Sequence, residues 1–179
     1  NGGVCSVVVT PDNCHIATGS FDTTIKIWSL DGGQLLHTLT GHHEKIIHLK
    51  ITQDSRHIIS SSADGKIIVW DLESAQQIYF LEGNSETDFP VSLVLSPDAR
   101  YAITGSNDGI IKVLDIESGS IIYTLHAHKG AVHLLAVTPD SSRFVSTSDG
   151  DSLKIWDMKN GELIRSQTQS LWLTALAVT

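Results

Sequence analysis

The sequence predicts an all-β fold of short antiparallel strands, and three observations predict it. Apolar and polar residues alternate with a period of two, as in "TIKIW" (24–28), where Ile25 and Ile27 flank Lys26. Turn tetrapeptides such as "TPDN" (10–13) and "SPDA" (96–99) bound these runs, with Pro at the second position, where its fixed φ suits a type I turn. The whole pattern then recurs along the 179 residues.

The recurrence is gapless at its centre. "TIKIWSL" (24–30), "KIIVWDL" (66–72), "IIKVLDI" (110–116) and "SLKIWDM" (152–158) align directly, and the aromatic column reads Trp28, Trp70, Leu114, Trp156. A second anchor, "TPD" (10–12), "TQD" (52–54), "SPD" (96–98) and "TPD" (138–140), moves in the same steps of 42, 44 and 42 residues. The units are 1–40, 41–82, 83–126 and 127–170. "LTALAVT" (173–179) matches the first strand of a fifth, which starts at 171.

Each unit reads as four strands, a to d. In the second they fall near 46–52, 57–62, 66–72 and 76–81, and "DGG" (31–33), "ESG" (117–119) and "KNG" (159–161) form the c–d turn elsewhere. Strand c is apolar on both pleat faces, with Ile67 and Val69 on one and Ile68 and Trp70 on the other. A sheet with two apolar faces must lie between neighbours. Four-stranded sheets repeated in line and covered on both sides stack as the blades of a β-propeller. The expectation is a partial, open arc of four blades plus one strand, a piece of something longer. Residues a neighbour should cover then lie around Val4, Val7 and Ile25 at one end and Leu153, Ile155 and Trp156 at the other.

Composition narrows the function. The net charge is −8, and the twelve Lys and Arg are scattered singly, so no basic cluster awaits phosphates and nucleic acid is not an expected partner. No apolar run approaches the roughly 18 residues of a membrane span, so no membrane is expected. Cys5 and Cys14 lie in one hairpin. With Cys14 facing Thr10 they would stand about 16 Å apart at roughly 3.3 Å per residue, beyond disulfide reach. Two free thiols suggest an intracellular, cytoplasmic setting.

With "GH" at Gly41–His42, "AH" at Ala127–His128, and "WD" at 70–71 and 156–157 (varied to "WS" at 28–29 and "LD" at 114–115), nearly the whole chain resembles the WD-repeat family. The resemblance implies a structural tetrad: an indole N–H to a Ser or Thr hydroxyl, the hydroxyl to a His, and the His to an Asp in the b–c turn. In the second unit these are His42, Ser60, Asp64 and Trp70. In the fourth they are His128, Ser146 and Trp156, with Asp149 or Asp151 in place of the Gly150 that stands in the acid column. The third keeps Thr104 and Asp108, with Leu114 for Trp and Glu86 near the His column. The first keeps Thr18, Asp22 and Trp28.

Other chemistries fit these residues less well. Ser60, His42 and Asp64 superficially form a hydrolase triad, but the hydroxyl would face an indole, and no GxSxG elbow or oxyanion hole accompanies it. Closed zinc sites need four convergent ligands, and tetrad or surface roles account for the nine His. "SDGDS" (148–152) lacks the later bidentate Glu of a calcium loop. No cofactor and no metal are expected.

What remains is surface recognition by loops on a rigid scaffold. The resemblance places partner-facing positions at Lys45, Ile47, Phe89, Val91, Ala131, His133, Trp172 and Thr174, with Phe21, Ala63 and Asn107 from the b–c turns. Phe21, Phe89 and Trp172 are of the type enriched at interface hot spots, although Phe89 and Trp172 would equally suit packing between blades. Glu82, Glu86 and Asp88 would favour a basic partner or form a solvated loop. The function expected is a non-catalytic protein–protein interaction scaffold, whose partners are proteins, peptides and the remaining blades of the same parent chain. The alternative is the sensing or substrate-recruiting domain of a multidomain enzyme, a signalling NTPase or a ubiquitin-ligase component.

Overall fold

The computed structural model describes residues 2–81, 90–148, 152–168 and 176, and its regular structure there is all strand. Strands β1 (Val4–Val9), β2 (His15–Ser20), β3 (Ile25–Ser29) and β4 (Leu35–Leu39) form the first sheet. The second holds β5 (Ile46–Ile51), β6 (His57–Ser62), β7 (Ile67–Asp71) and β8 (Gln77–Leu81). β9 (Pro90–Leu95), β10 (Tyr101–Ser106), β11 (Ile110–Asp115) and β12 (Ser120–His126) form the third. β13 (Val132–Val137), β14 (Arg143–Ser148), β15 (Ser152–Asp157) and β16 (Leu163–Thr168) form the fourth. All four are antiparallel meanders in chain order, as the turn signals require. The a–b and c–d turns therefore share one edge of each blade, and the b–c turn lies at the other.

The a–b turn is more elaborate than the plain type I turn expected. Thr10 Oγ1 donates to Asp12 Oδ1 at 2.5 Å, and the same oxygen of Asp12 accepts the Cys14 amide at 2.9 Å. Thr52–Asp54 and Thr138–Asp140 repeat the hydroxyl bond at 2.6 Å, and Ser96–Asp98 does so at 2.5 Å. The residue after each Asp is left-handed: Asn13 (φ 58°), Ser55 (59°), Ala99 (59°) and Ser141 (57°). That added residue shifts the first hairpin by one. Thr10 N donates to His15 O at 2.9 Å, so Thr10 faces His15 rather than Cys14. Both cysteines are free and exposed.

The aspartate of the "WD" pair is turn punctuation. Asp71 Oδ1 accepts the Ser74 amide at 2.8 Å and its hydroxyl at 2.7 Å, capping the c–d turn. Asp115 does the same for the Ser118 amide at 2.9 Å, and Asp157 for that of Lys159 at 2.9 Å. An ionised side chain can thus follow a buried Trp because the turn supplies its donors.

The chain divides into two compact units, 1–90 and 91–179. Within the first, Ile25, Ile27, Ile46, Leu49, Ile58, Ile68, Trp70 and Leu72 form one core. Strand β7 is buried on both faces, as its two-sided apolar pattern requires. Within the second, Ile103, Ile111, Val113, Val132, Phe144, Trp156 and Met158 form the core, with the Phe144 and Trp156 rings stacked at 6.1 Å.

A glycine at the same repeat position lets neighbouring blades approach closely in each unit. A β-carbon on Gly19 would stand 2.5 Å from Ile46 Cγ2, and one on Gly105 would stand 2.6 Å from Val132 Cβ. The expected uncovered ends need correction in part. Val4 and Val7 are exposed, but Ile25 and Trp156 are buried, because each faces the neighbouring blade of its own unit.

Candidate functional site

In the second sheet β6, β7 and the two turns beside them bring four polar side chains into one chain of hydrogen bonds. Trp70 Nε1 donates to Ser60 Oγ at 2.8 Å, His42 Nε2 lies 2.7 Å from that oxygen, and His42 Nδ1 lies 3.0 Å from Asp64 Oδ2. With the ring proton on Nδ1 toward Asp64, Nε2 accepts the Ser60 hydroxyl, an assignment that follows from the network. Ser60 is wholly buried, so its hydroxyl faces the indole and offers no nucleophile to a substrate. Burial pushes the Asp64 carboxyl up. Hydrogen bonds from His42 and from the His43 and Lys66 amides outweigh that and hold it well below the ordinary carboxylate range.

The other sheets carry variations. In the fourth, Trp156 Nε1 donates to Ser146 Oγ at 2.8 Å and His128 Nε2 approaches the same oxygen at 2.8 Å. Asp149 and Asp151 lie outside the described residues. In the first, Trp28 Nε1 donates to Thr18 Oγ1 at 3.0 Å, while Asp22 accepts the Thr24 hydroxyl at 2.6 Å and the Gly2 amide at 3.4 Å. Those bonds, the Thr24 hydroxyl first, keep the Asp22 carboxyl well below its usual range. In the third, Thr104 and Leu114 are both buried, and the Leu114 side chain has no N–H to donate. Asp108 is exposed and accepts the Ile110 amide at 3.1 Å and the Ser106 hydroxyl within its own turn.

A column that sequence reasoning overlooked completes the b–c turns. Ser20, Ser62, Ser106 and Ser148 recur in all four units. Ser62 Oγ accepts the Asp64 amide at 3.2 Å and donates to Glu44 O at 2.9 Å, tying the turn to the loop before β5. That invariance within the chain was the available signal.

The candidate partner-binding residues among those described sit at this same edge of their own blades. In the first unit Phe21 is 55% exposed, and Lys45 Nζ lies 5.8 Å from its ring centroid, a cation–π distance. Lys45 O accepts the Ala63 amide at 3.0 Å, so the loop before β5 carries the cation toward the b–c turn of the first blade. Thr23, two residues past Phe21, has φ 73°, where the second and third sheets place Gly65 and Gly109.

Strand a bulges at the partner-facing column. Ile46 pairs with Ser62 and His48 with Ser61, which leaves Ile47 as the extra residue, and His133 occupies the same place in β13. A bulge re-aims the side chain it carries. Cys5 is the bulged residue of β1, at a position sequence reasoning missed although it lies 42 residues before Ile47. In the second unit Asn107 and His133 are exposed, and Val91 and Ala131 are partly buried. Phe89, Trp172, Thr174 and the acidic set Glu82, Glu86 and Asp88 lie outside the described residues.

No group of three or more His, Cys, Asp or Glu that could hold a metal occurs among the described residues. No helix there is long and apolar enough to cross a membrane.

Four-stranded meanders repeated in line, with an indole–hydroxyl–imidazole chain inside two of them, define a β-propeller-type repeat protein. The chain belongs to the family described as WD domain, G-beta repeat, whose repeats match residues 1–29, 33–71, 75–115 and 119–157. Among its relatives is the target of rapamycin complex subunit LST8-1 of Arabidopsis thaliana, 45% identical over 42 residues, or 24% of this chain and 14% of that protein. The pre-mRNA-splicing factor PRP46 of Kluyveromyces lactis is 60% identical over 42 residues, 23% of this chain and 10% of its own. Pre-mRNA-processing factor 19 of Oryza sativa subsp. japonica is 44% identical over 48 residues, 27% and 9% of the respective chains. The matched stretches thus span less than a sixth of each of these relatives. Repeats of this family in general mediate protein–protein interaction.

Proposed function

We propose that this chain is a non-catalytic protein-interaction scaffold that presents the b–c turn edge of its blades to protein or peptide partners. The observation that carries this reading is Phe21, a large aromatic held out to solvent with the Lys45 cation beside it. Exposed aromatics are of the type enriched in the buried centre of protein interfaces. The Ser–His–Asp set of the second sheet supports the non-catalytic part, since its hydroxyl is buried and bonded to an indole. Two free thiols support an intracellular, cytoplasmic setting.

The test is site-specific photo-crosslinking. A photo-reactive phenylalanine analogue at position 21 should capture a defined protein partner in cells, and Lys45→Glu should suppress that product. The same analogue at Glu162, exposed at the c–d turn of its own blade, should not yield it. Equal products from both positions would overturn the assignment of the edge. Esterase or peptidase turnover that vanishes with Ser60→Ala would overturn the non-catalytic reading.

A further inference from the structure

We propose that the cleft between the first and second sheets is a pocket for an aromatic, phenol-like side chain carried by a basic peptide segment. The cleft lies at the a–b and c–d turn edge, opposite Phe21, and so is a second recognition surface. It encloses about 350 Å³, near the lower end of the range for ligand pockets, roughly 300–1,000 Å³. Blade 1 contributes Asp12, His15 and His37, and blade 2 contributes Arg56, Asp71, Leu72 and Glu73.

The matching place in the second unit defines the occupant. By the repeat spacing, His15 and His37 correspond to Tyr101 and Tyr123, Leu72 to Met158, and Ala75 to Gly161. There the gap is filled from within. Tyr101 and Tyr123 both pack on the core, and Tyr123 Oη donates to Met158 O at 2.7 Å across the two blades. The Tyr123 ring lies so close that a β-carbon on Gly161 would stand 2.9 Å from Cε2. In the first unit the smaller His37 replaces that tyrosine, and Ala75 keeps a methyl that Gly161 must lack. A ring in the pose of Tyr123 would meet that methyl, so a guest ring lies further out in the cleft, beside the exposed His37, where the chain supplies no phenol.

Two further features define the ligand. His15 lines the cleft, and its Nδ1 is buried with no hydrogen-bond partner among the described residues. A buried polar atom left so is costly, and a small turn of the imidazole would let it pair with a phenol hydroxyl. The rim carries three carboxylates, Asp12, Asp71 and Glu73, against the single guanidinium of Arg56. Flanking Lys or Arg residues on the ligand complement that balance.

The test titrates the 179-residue chain with Ac-Lys-Tyr-Lys-NH2 and follows the imidazole resonances of His15 and His37 by NMR. The expected result is a saturable shift of both. Ac-Lys-Ala-Lys-NH2 and Ac-Glu-Tyr-Glu-NH2 should bind about tenfold more weakly or worse, a difference of about 1.4 kcal/mol each. His37→Tyr combined with Ala75→Gly installs the arrangement of the second unit and should abolish the His15 response. Should that variant fail to fold, Glu73→Lys on the exposed rim keeps the test open: it should weaken the Lys-Tyr-Lys peptide about tenfold. No saturable shift at either histidine would overturn the pocket. Equal binding of the Ala peptide would overturn the aromatic assignment. Equal binding of the Glu peptide, or indifference to Glu73→Lys, would overturn the charge assignment.

Discussion

Trp70 and Ser60 share a 2.8 Å hydrogen bond between β7 and β6, two residues that each sit almost fully out of water. The bond joins an apolar payload to a polar network, so the two substitutions have different costs. Trp70→Ala removes a buried aromatic and should cost about 3–5 kcal/mol. Ser60→Ala removes little volume but strands the indole N–H and His42 Nε2, and should cost about 1–3 kcal/mol. Urea denaturation of both variants measures the difference, and an unchanged midpoint for Trp70→Ala would place that side chain outside the core.

The Asp64 carboxyl titrates below its ordinary range in the fold, so its contribution to stability has a defined direction. A depressed folded-state pKa means that the stabilisation is full above the unfolded value of about 4 and is lost as pH falls through the folded one. The wild-type urea midpoint should therefore drop more steeply than that of Asp64→Asn below about pH 4. Parallel curves for the two proteins would show that the His42–Asp64 contact contributes nothing.

Thr23, a β-branched residue, occupies φ 73° in the b–c turn of the first sheet. That conformation costs an L-residue about 1–2 kcal/mol, and the larger unfolded-state entropy of glycine offsets part of the gain from relieving it. Thr23→Gly should stabilise the chain by up to about 1 kcal/mol, read as a raised urea midpoint. A lowered midpoint would mean that the Thr23 side chain makes a compensating contact.

Tyr123→Phe keeps the ring between the third and fourth sheets and deletes the bond to Met158 O. It should cost about 1–2 kcal/mol, since the acceptor is left without its donor. Burial first, and then the Asp157 charge, push the Tyr123 phenol up, so it stays neutral and donating through ordinary pH. A phenol absorbance titration in the ordinary tyrosine range for all three tyrosines would contradict that environment.

Much of the architecture was legible in the residues because it is local or periodic. The period-two runs, the "TPD" turns and the 42, 44, 42 spacing required the four sheets and their order, since pleat alternation and turn chemistry act over a few residues. His42, Ser60, Asp64 and Trp70 were singled out by the resemblance to the WD-repeat family and not by periodicity, because hydrogen bonds between side chains leave no trace in strand alternation. Other features depend on where separate strands meet. The left-handed Asn13 that shifts the first hairpin, the burial of Ile25 and Trp156, and the approach of Lys45 to Phe21 are set by packing between blades. The same holds for the cleft beside His37. A His and a Tyr in one repeat column look interchangeable along the chain, and only the distance to the next blade decided that Tyr123 fills its gap while His37 leaves one.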